Sequence, residues 1–140
     1  MKIPIRGRCI CGDVEYEASA VPVVSAVCHC RDCRRATGGA NFPALAVVGD
    51  GFKLSGAVNA FETIAESGNR VNRYFCARCG STLFARSTGM VGITQIAAAT
   101  LDDPSEFSPQ MHVFARSAPA WDVLSPGAAV FDGMPPMPKP

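Results

Sequence analysis

Seven cysteines fall into three short clusters of a 140-residue chain: Cys9-Ile10-Cys11, Cys28-His29-Cys30-Arg31-Asp32-Cys33 and Cys76-Ala77-Arg78-Cys79. None lies elsewhere, and an odd number cannot all be paired as disulfides. Thiols two or three residues apart are suited instead to converge on one soft cation. Seven sulfurs divide naturally as four and three. That is one closed tetrahedral zinc site and a second with a free corner where a reactant could bind. The fold must therefore bring distant segments together at common points.

Composition narrows the class. Lys plus Arg number 13 and Asp plus Glu 12, so there is no basic excess to point to nucleic acid. Seven thiolates set against two Zn²⁺ would take the formal charge from +1 to −2. The first residues, Met1–Arg8, carry charges where a signal peptide would be apolar, and Met90–Leu101 is too short to span a membrane. The expectation is a soluble cytoplasmic protein with no membrane partner, whose thiols stay reduced and serve metal binding or catalysis. The size suits a single zinc-binding β domain over residues 1–132, followed by a proline-rich tail over 133–140.

Val14, Tyr16 and Ala18 alternate with Glu15 and Glu17, as in a half-buried strand. Short strand-like runs follow at 43–48, 52–54, 58–62, 73–75, 82–85, 92–98 and 110–114, separated by Gly, Ser, Asn and Asp turn formers. Only Asp32–Thr37 reads as helix, stopped by Gly38-Gly39, with a further single turn near Asp102–Phe107. The class is mainly β, a sandwich or a folded-over sheet with one short helix.

Cys9 and Cys11 can share a metal only if the chain bends between them, which Gly12 would permit. Cys76-Ala77-Arg78-Cys79-Gly80 has the form of a zinc knuckle. Joining these pairs would close a loop of more than sixty residues and make metal binding part of folding. In the central cluster, Cys28, Cys30 and Cys33 can supply one face of a tetrahedron, and zinc there would lower the pKa of an incoming thiol. His29, placed between two ligands, would tend to point away from their metal; His112 is expected on the surface or in packing. Spacing alone also allows a ribbon in which Cys30 and Cys33 join Cys76 and Cys79.

Gly7-Arg8-Cys9-Ile10-Cys11-Gly12-Asp13-Val14, Cys28-His29-Cys30-Arg31-Asp32-Cys33-Arg34-Arg35-Ala36-Thr37-Gly38 and Phe75-Cys76-Ala77-Arg78-Cys79-Gly80-Ser81 occur in that order. In these three motifs the chain resembles the glutathione-dependent formaldehyde-activating enzymes, a family that also includes centromere protein V. The resemblance implies an Mss4-like folded β-sheet and two zinc ions. One would be structural, on Cys9, Cys11, Cys76 and Cys79, and the other catalytic, on Cys28, Cys30 and Cys33. It also implies a carbon–sulfur lyase that adds a small thiol such as glutathione to formaldehyde or a similar aldehyde.

Further residues are weighed beside the cysteines. Arg31, Arg34 and Arg35 are read either as holding a substrate carboxylate or as a solvated helical face. Asp32 is expected to cap the helix. Phe42 and Trp121 are expected to pack in the core, although Asn41, Phe42 and Trp121 are each close enough to the site in some reading to line or cover it. The rival function is a non-catalytic, zinc-stapled module that binds protein or nucleic acid. A methionine sulfoxide reductase is disfavoured, because it needs a redox cysteine apart from its zinc ligands and none follows Cys79.

Overall fold

The structure is a computed structural model and describes residues 1–136. In chain order its strands begin with β1 (Ile5–Arg8), β2 (Glu15–Ala18), β3 (Val24–Cys28), β4 (Phe42–Val48) and β5 (Phe52–Ser55). They continue with β6 (Val58–Ile64), β7 (Arg70–Cys76), β8 (Thr82–Ser87), β9 (Ile93–Ala97), β10 (Met111–Val113) and β11 (Ala129–Val130). The one α-helix among the described residues is α1 (Arg31–Thr37). A three-stranded antiparallel sheet runs β1-β2-β5, and an eight-stranded sheet runs β11-β10-β3-β4-β9-β8-β7-β6.

The mainly β class, the short helix and the strands read from the sequence are all present. Three strands were not foreseen. β1 has glycine at an inward position, β3 runs straight into the cysteine cluster, and β11 has only two residues. Gly7 has a steric reason: a Cβ there would overlap the Tyr16 ring and hydroxyl and the Thr100 carbonyl. The turn expected near Asp102–Phe107 is a 3-10 turn at Pro104–Glu106, capped by the Asp103 side chain.

Side-chain alternation divides the large sheet into two working faces. Leu45 and Val47 of β4, Tyr74 of β7 and Ile96 of β9 meet Ile5 and Tyr16 of the small sheet in the main core. Full burial of side chains this size contributes about 1.5–3 kcal/mol each. Phe42 and Ala44, Arg73, and Gln95 and Ala97 have the opposite parity on the same strands and belong to the other face. A bulge modifies the pattern where Tyr74 pairs with Phe84 and Phe75 with Thr82. Leu83 is the extra residue, and both Leu83 and Phe84 enter the core.

The proline-rich tail is described only as far as Pro136; residues 137–140 lie outside the described residues. Its first residue is anchored, because the Gly133 carbonyl accepts the Phe114 N–H at 3.1 Å. Among the described residues, no helix is long and apolar enough to cross a membrane.

Candidate functional site

Two hairpin-like turns bring the outer cysteine clusters together. The Gly12 N–H donates to the Cys9 carbonyl at 3.2 Å, and the Gly80 N–H to that of Cys76 at 3.0 Å. Both glycines adopt positive φ, +82° and +78°, a region costly for residues bearing a Cβ. The bend expected at Cys9–Cys11 is thus formed. The sulfurs of Cys9, Cys11, Cys76 and Cys79 all lie within 4.8 Å of one another, with Cys9–Cys11 at 3.5 Å and Cys11–Cys76 at 3.8 Å. Zinc–sulfur bonds of about 2.3 Å place tetrahedral sulfurs about 3.8 Å apart, so this set fits the ion.

Donors also face three of these sulfurs. Backbone N–H groups of Val14 and of Arg78 and Cys79 donate to the sulfurs of Cys9 and Cys76 at 3.3–3.4 Å. The Ser81 hydroxyl, 3.2 Å from Cys79 Sγ, leads the contacts that hold that thiol down at about 5. Metal here would tie β1 and β2 to β7 and β8, joining the two sheets at one end.

The second cluster forms where β3 gives way to α1. Cys28 ends the strand, Cys30 is the helix N-cap and Cys33 lies in the first turn, with all three sulfurs within 4.8 Å of one another. Cys30 Sγ accepts the Cys33 N–H at 3.3 Å. The cap is therefore Cys30, not Asp32 as expected: the helix starts at Arg31 and leaves Asp32 inside its first turn. Gly38, at φ +72°, ends the helix as read from the sequence. Hydrogen bonds from Cys28 and Cys33 push the Cys30 thiol down, whereas the same cluster contacts push Cys28 up.

A small cleft lies beside Cys33 on the outer face of the large sheet. Thr37, Phe42, Val71, Arg73 and Gln95 help to line it. Arg73 Nη2 is 4.0 Å from Cys33 Sγ, while its Nη1 donates to Thr63 Oγ1 at 2.7 Å and fixes the guanidinium in place. The cation at the cleft is thus Arg73, which sequence reasoning treated only as part of a strand. Arg34 is used structurally, donating to the carbonyls of His29 at 3.2 Å and Ser117 at 2.5 Å. Arg31 and Arg35 are exposed on the helix, in line with a solvated face.

Behind the cluster is a buried polar chain. His29 Nδ1 is 2.5 Å from Asp122 Oδ2, and His29 Nε2 is 2.7 Å from His112 Nδ1. Asn41 Nδ2 donates to Asp122 Oδ1 at 3.1 Å, and the Ser125 N–H donates to His112 Nε2 at 3.0 Å. His29 does point away from the sulfurs, and His112 is a buried packing residue, 2% exposed. Asp122 escaped sequence reasoning: it lies 93 residues from its partner, and no local pattern marks it. Trp121, next to it, is 70% exposed and is not the core anchor expected, because the turn that sends Asp122 inward sends its neighbour outward.

A profile of the glutathione-dependent formaldehyde-activating enzymes matches residues 4–117. The chain belongs to this family. The match spans all seven cysteines, the helix and the cleft. A crystal structure of a Rhodobacter sphaeroides protein has a similar fold, with a TM-score of 0.59 at 18% identity, over 90% of this chain and 98% of that one. No curated protein sequence matches the chain. The family is named for acting on formaldehyde with glutathione, and its Mss4-like fold agrees with the folded sheets described above. Within that fold both cysteine clusters could hold metal ions.

Proposed function

We propose that this family member is a zinc-dependent enzyme of carbon–sulfur lyase type, which reversibly joins a small thiol such as glutathione to formaldehyde or another small aldehyde. One observation carries the reading: three sulfurs converge, one of them, that of Cys33, on a cleft, while the histidine between the other two is turned away. Cys9, Cys11, Cys76 and Cys79 would hold a structural zinc ion, and Cys28, Cys30 and Cys33 a catalytic one. Zinc bound to three thiolates offers Lewis acidity and an affinity for a fourth sulfur.

The chain's own residues supply the rest. Arg73 places a fixed positive charge where a thiol bound as thiolate adds a negative one. Phe42 and Val71 give the cleft apolar walls that limit water. In the forward direction the S–H bond breaks, a C–S bond forms at the carbonyl carbon, and the carbonyl oxygen takes up the proton. The reduced thiols this requires fit the cytoplasm.

Elemental analysis of protein purified under reducing conditions, followed by calorimetric titration with glutathione, tests the proposal. Two zinc ions per chain and saturable binding are expected. One zinc ion and no thiol binding after reconstitution would instead favour the non-catalytic binding module.

A further inference from the structure

The chain Asn41–Asp122–His29–His112–Ser125 sits behind the three-cysteine cluster and touches none of its sulfurs through a side chain. Its protonation pattern follows from one fixed donor. A backbone N–H can only donate, so His112 Nε2 must accept from Ser125. His112 then carries its proton on Nδ1 and donates it to His29 Nε2. His29 in turn carries its proton on Nδ1 and donates it to Asp122. In this pattern each ring has a single tautomer.

The same logic rules out a proton relay. A wire must release a proton at its far end, and this one stops at a backbone amide. What remains is mechanical. His29 has every polar group engaged: its N–H donates to the Val113 carbonyl at 3.0 Å, its carbonyl accepts from Arg34, and both ring nitrogens are bonded. His29 and His112 are 0% and 2% exposed, and no buried side-chain nitrogen or oxygen among the described residues lacks a partner. The residue between two cysteines is thus clamped from four directions, mostly by the segment from His112 to Ser125.

We propose that Asp122 and His112 are positioning residues for the three-thiolate site: through His29 they hold Cys28 and Cys30 in a converged arrangement before a metal arrives. The C-terminal segment then belongs to the metal centre although it supplies no ligand. Supporting residues of this kind typically change metal affinity by roughly 10–100-fold when removed.

The inference rests on the three cysteines holding a metal, and the experiment separates the two ideas. Zinc-loaded wild type and Asp122→Ala are titrated with a chromophoric chelator, and the cobalt-loaded forms are compared by absorption. Asp122→Ala should weaken the three-thiolate ion roughly 10–100-fold and shift its cobalt bands, leaving the four-thiolate ion unchanged. Asp122→Asn keeps an acceptor for His29 if Asn41 turns its amide over, so it should restore most of the affinity. A wild type with only one metal ion would sink the metal reading; a wild-type-like second ion in Asp122→Ala overturns the positioning role. Should Asp122→Ala fail to fold, the Asp122→Asn affinity is compared with wild type, and long-range ¹H–¹⁵N spectra of the zinc-loaded wild type check the clamp: both rings must be Nδ1–H tautomers, and an Nε2–H form at either refutes it.

Discussion

Arg73 shows how much one side chain can add to a site made of sulfur. Zn²⁺ held by Cys28, Cys30 and Cys33 as thiolates would carry a net negative charge, which a substrate thiolate would increase. Under the proposed function, the guanidinium 4.0 Å from Cys33 Sγ would offset that increment. Arg73→Gln should therefore weaken glutathione binding to the zinc-loaded protein by roughly tenfold, and Arg73→Lys by less. Calorimetry reads this directly, and equal dissociation constants in Arg73→Gln and wild type would remove Arg73 from the mechanism. Tyr16 gives a prediction tied to pH. Burial, with Asp102 adding and the Thr100 hydrogen bond opposing, pushes its phenol up to about 12. In the unfolded chain the phenol ionises near about 10. Above that pH the unfolded state loses a proton that the folded state keeps, so this group's stabilisation declines as pH rises from about 10 to about 12, by about 2–3 kcal/mol in all. Tyr16→Phe loses the Thr100 bond and is less stable at pH 8, but its urea midpoint should fall less between pH 9 and 11. A parallel fall in both proteins would count against the assignment. Gly7→Ala drives a methyl group into that phenol and should cost about 1–3 kcal/mol, seen as a lower urea midpoint.

Among the elements, the two glycine-terminated turns are the parts most exposed to a single change. Gly80 sits at φ +78°, so Gly80→Ala strains the turn that aligns Cys76 and Cys79 by about 1–2 kcal/mol. The expected result is faster loss of one metal ion to a chelator with the other unaffected; simultaneous loss of both would show that the turns do not act independently. These turns were legible in the sequence because cysteine spacing and a following glycine are local signals. The α1 region was legible for the same reason, down to its Gly38 stop. The N-cap was misread because a cysteine sulfur took a role that oxygen-bearing side chains usually fill. β1 and β3 were missed where packing against Tyr16 and entry into the cysteine cluster, not propensity, decide the conformation. The cleft cation and Asp122 were invisible for a stronger reason: Arg73 meets Cys33 across 40 residues, and Asp122 meets His29 across 93. The sheet order brings Arg73 to its partner, and the loop between β10 and β11 brings Asp122 to His29.

For the molecule as a whole, the two cysteine clusters have unequal mechanical roles. The four-cysteine cluster joins the small sheet to the large one, whereas the three-cysteine cluster lies on one face of the large sheet alone. Stripping all metal should therefore unfold the protein cooperatively by circular dichroism, while Cys33→Ser should lose one ion and any thiol-dependent turnover yet keep its β signal. A Cys33→Ser variant that unfolds would contradict this division. The two-faced large sheet has a consequence for how such a protein can change over time. On β4, β7 and β9 the residues of the main core and those on the cleft side alternate one by one, and on the cleft side Phe42 and Ala97 are themselves buried while Val71, Arg73 and Gln95 are only half-buried. If the proposed reaction takes place there, variation at Val71, Arg73 and Gln95 would alter the cleft while Leu45, Tyr74 and Ile96 keep the scaffold intact. Such a chain would be suited to diversify what it binds and keep its shape, and a library confined to these three half-buried positions is where new specificities should be sought.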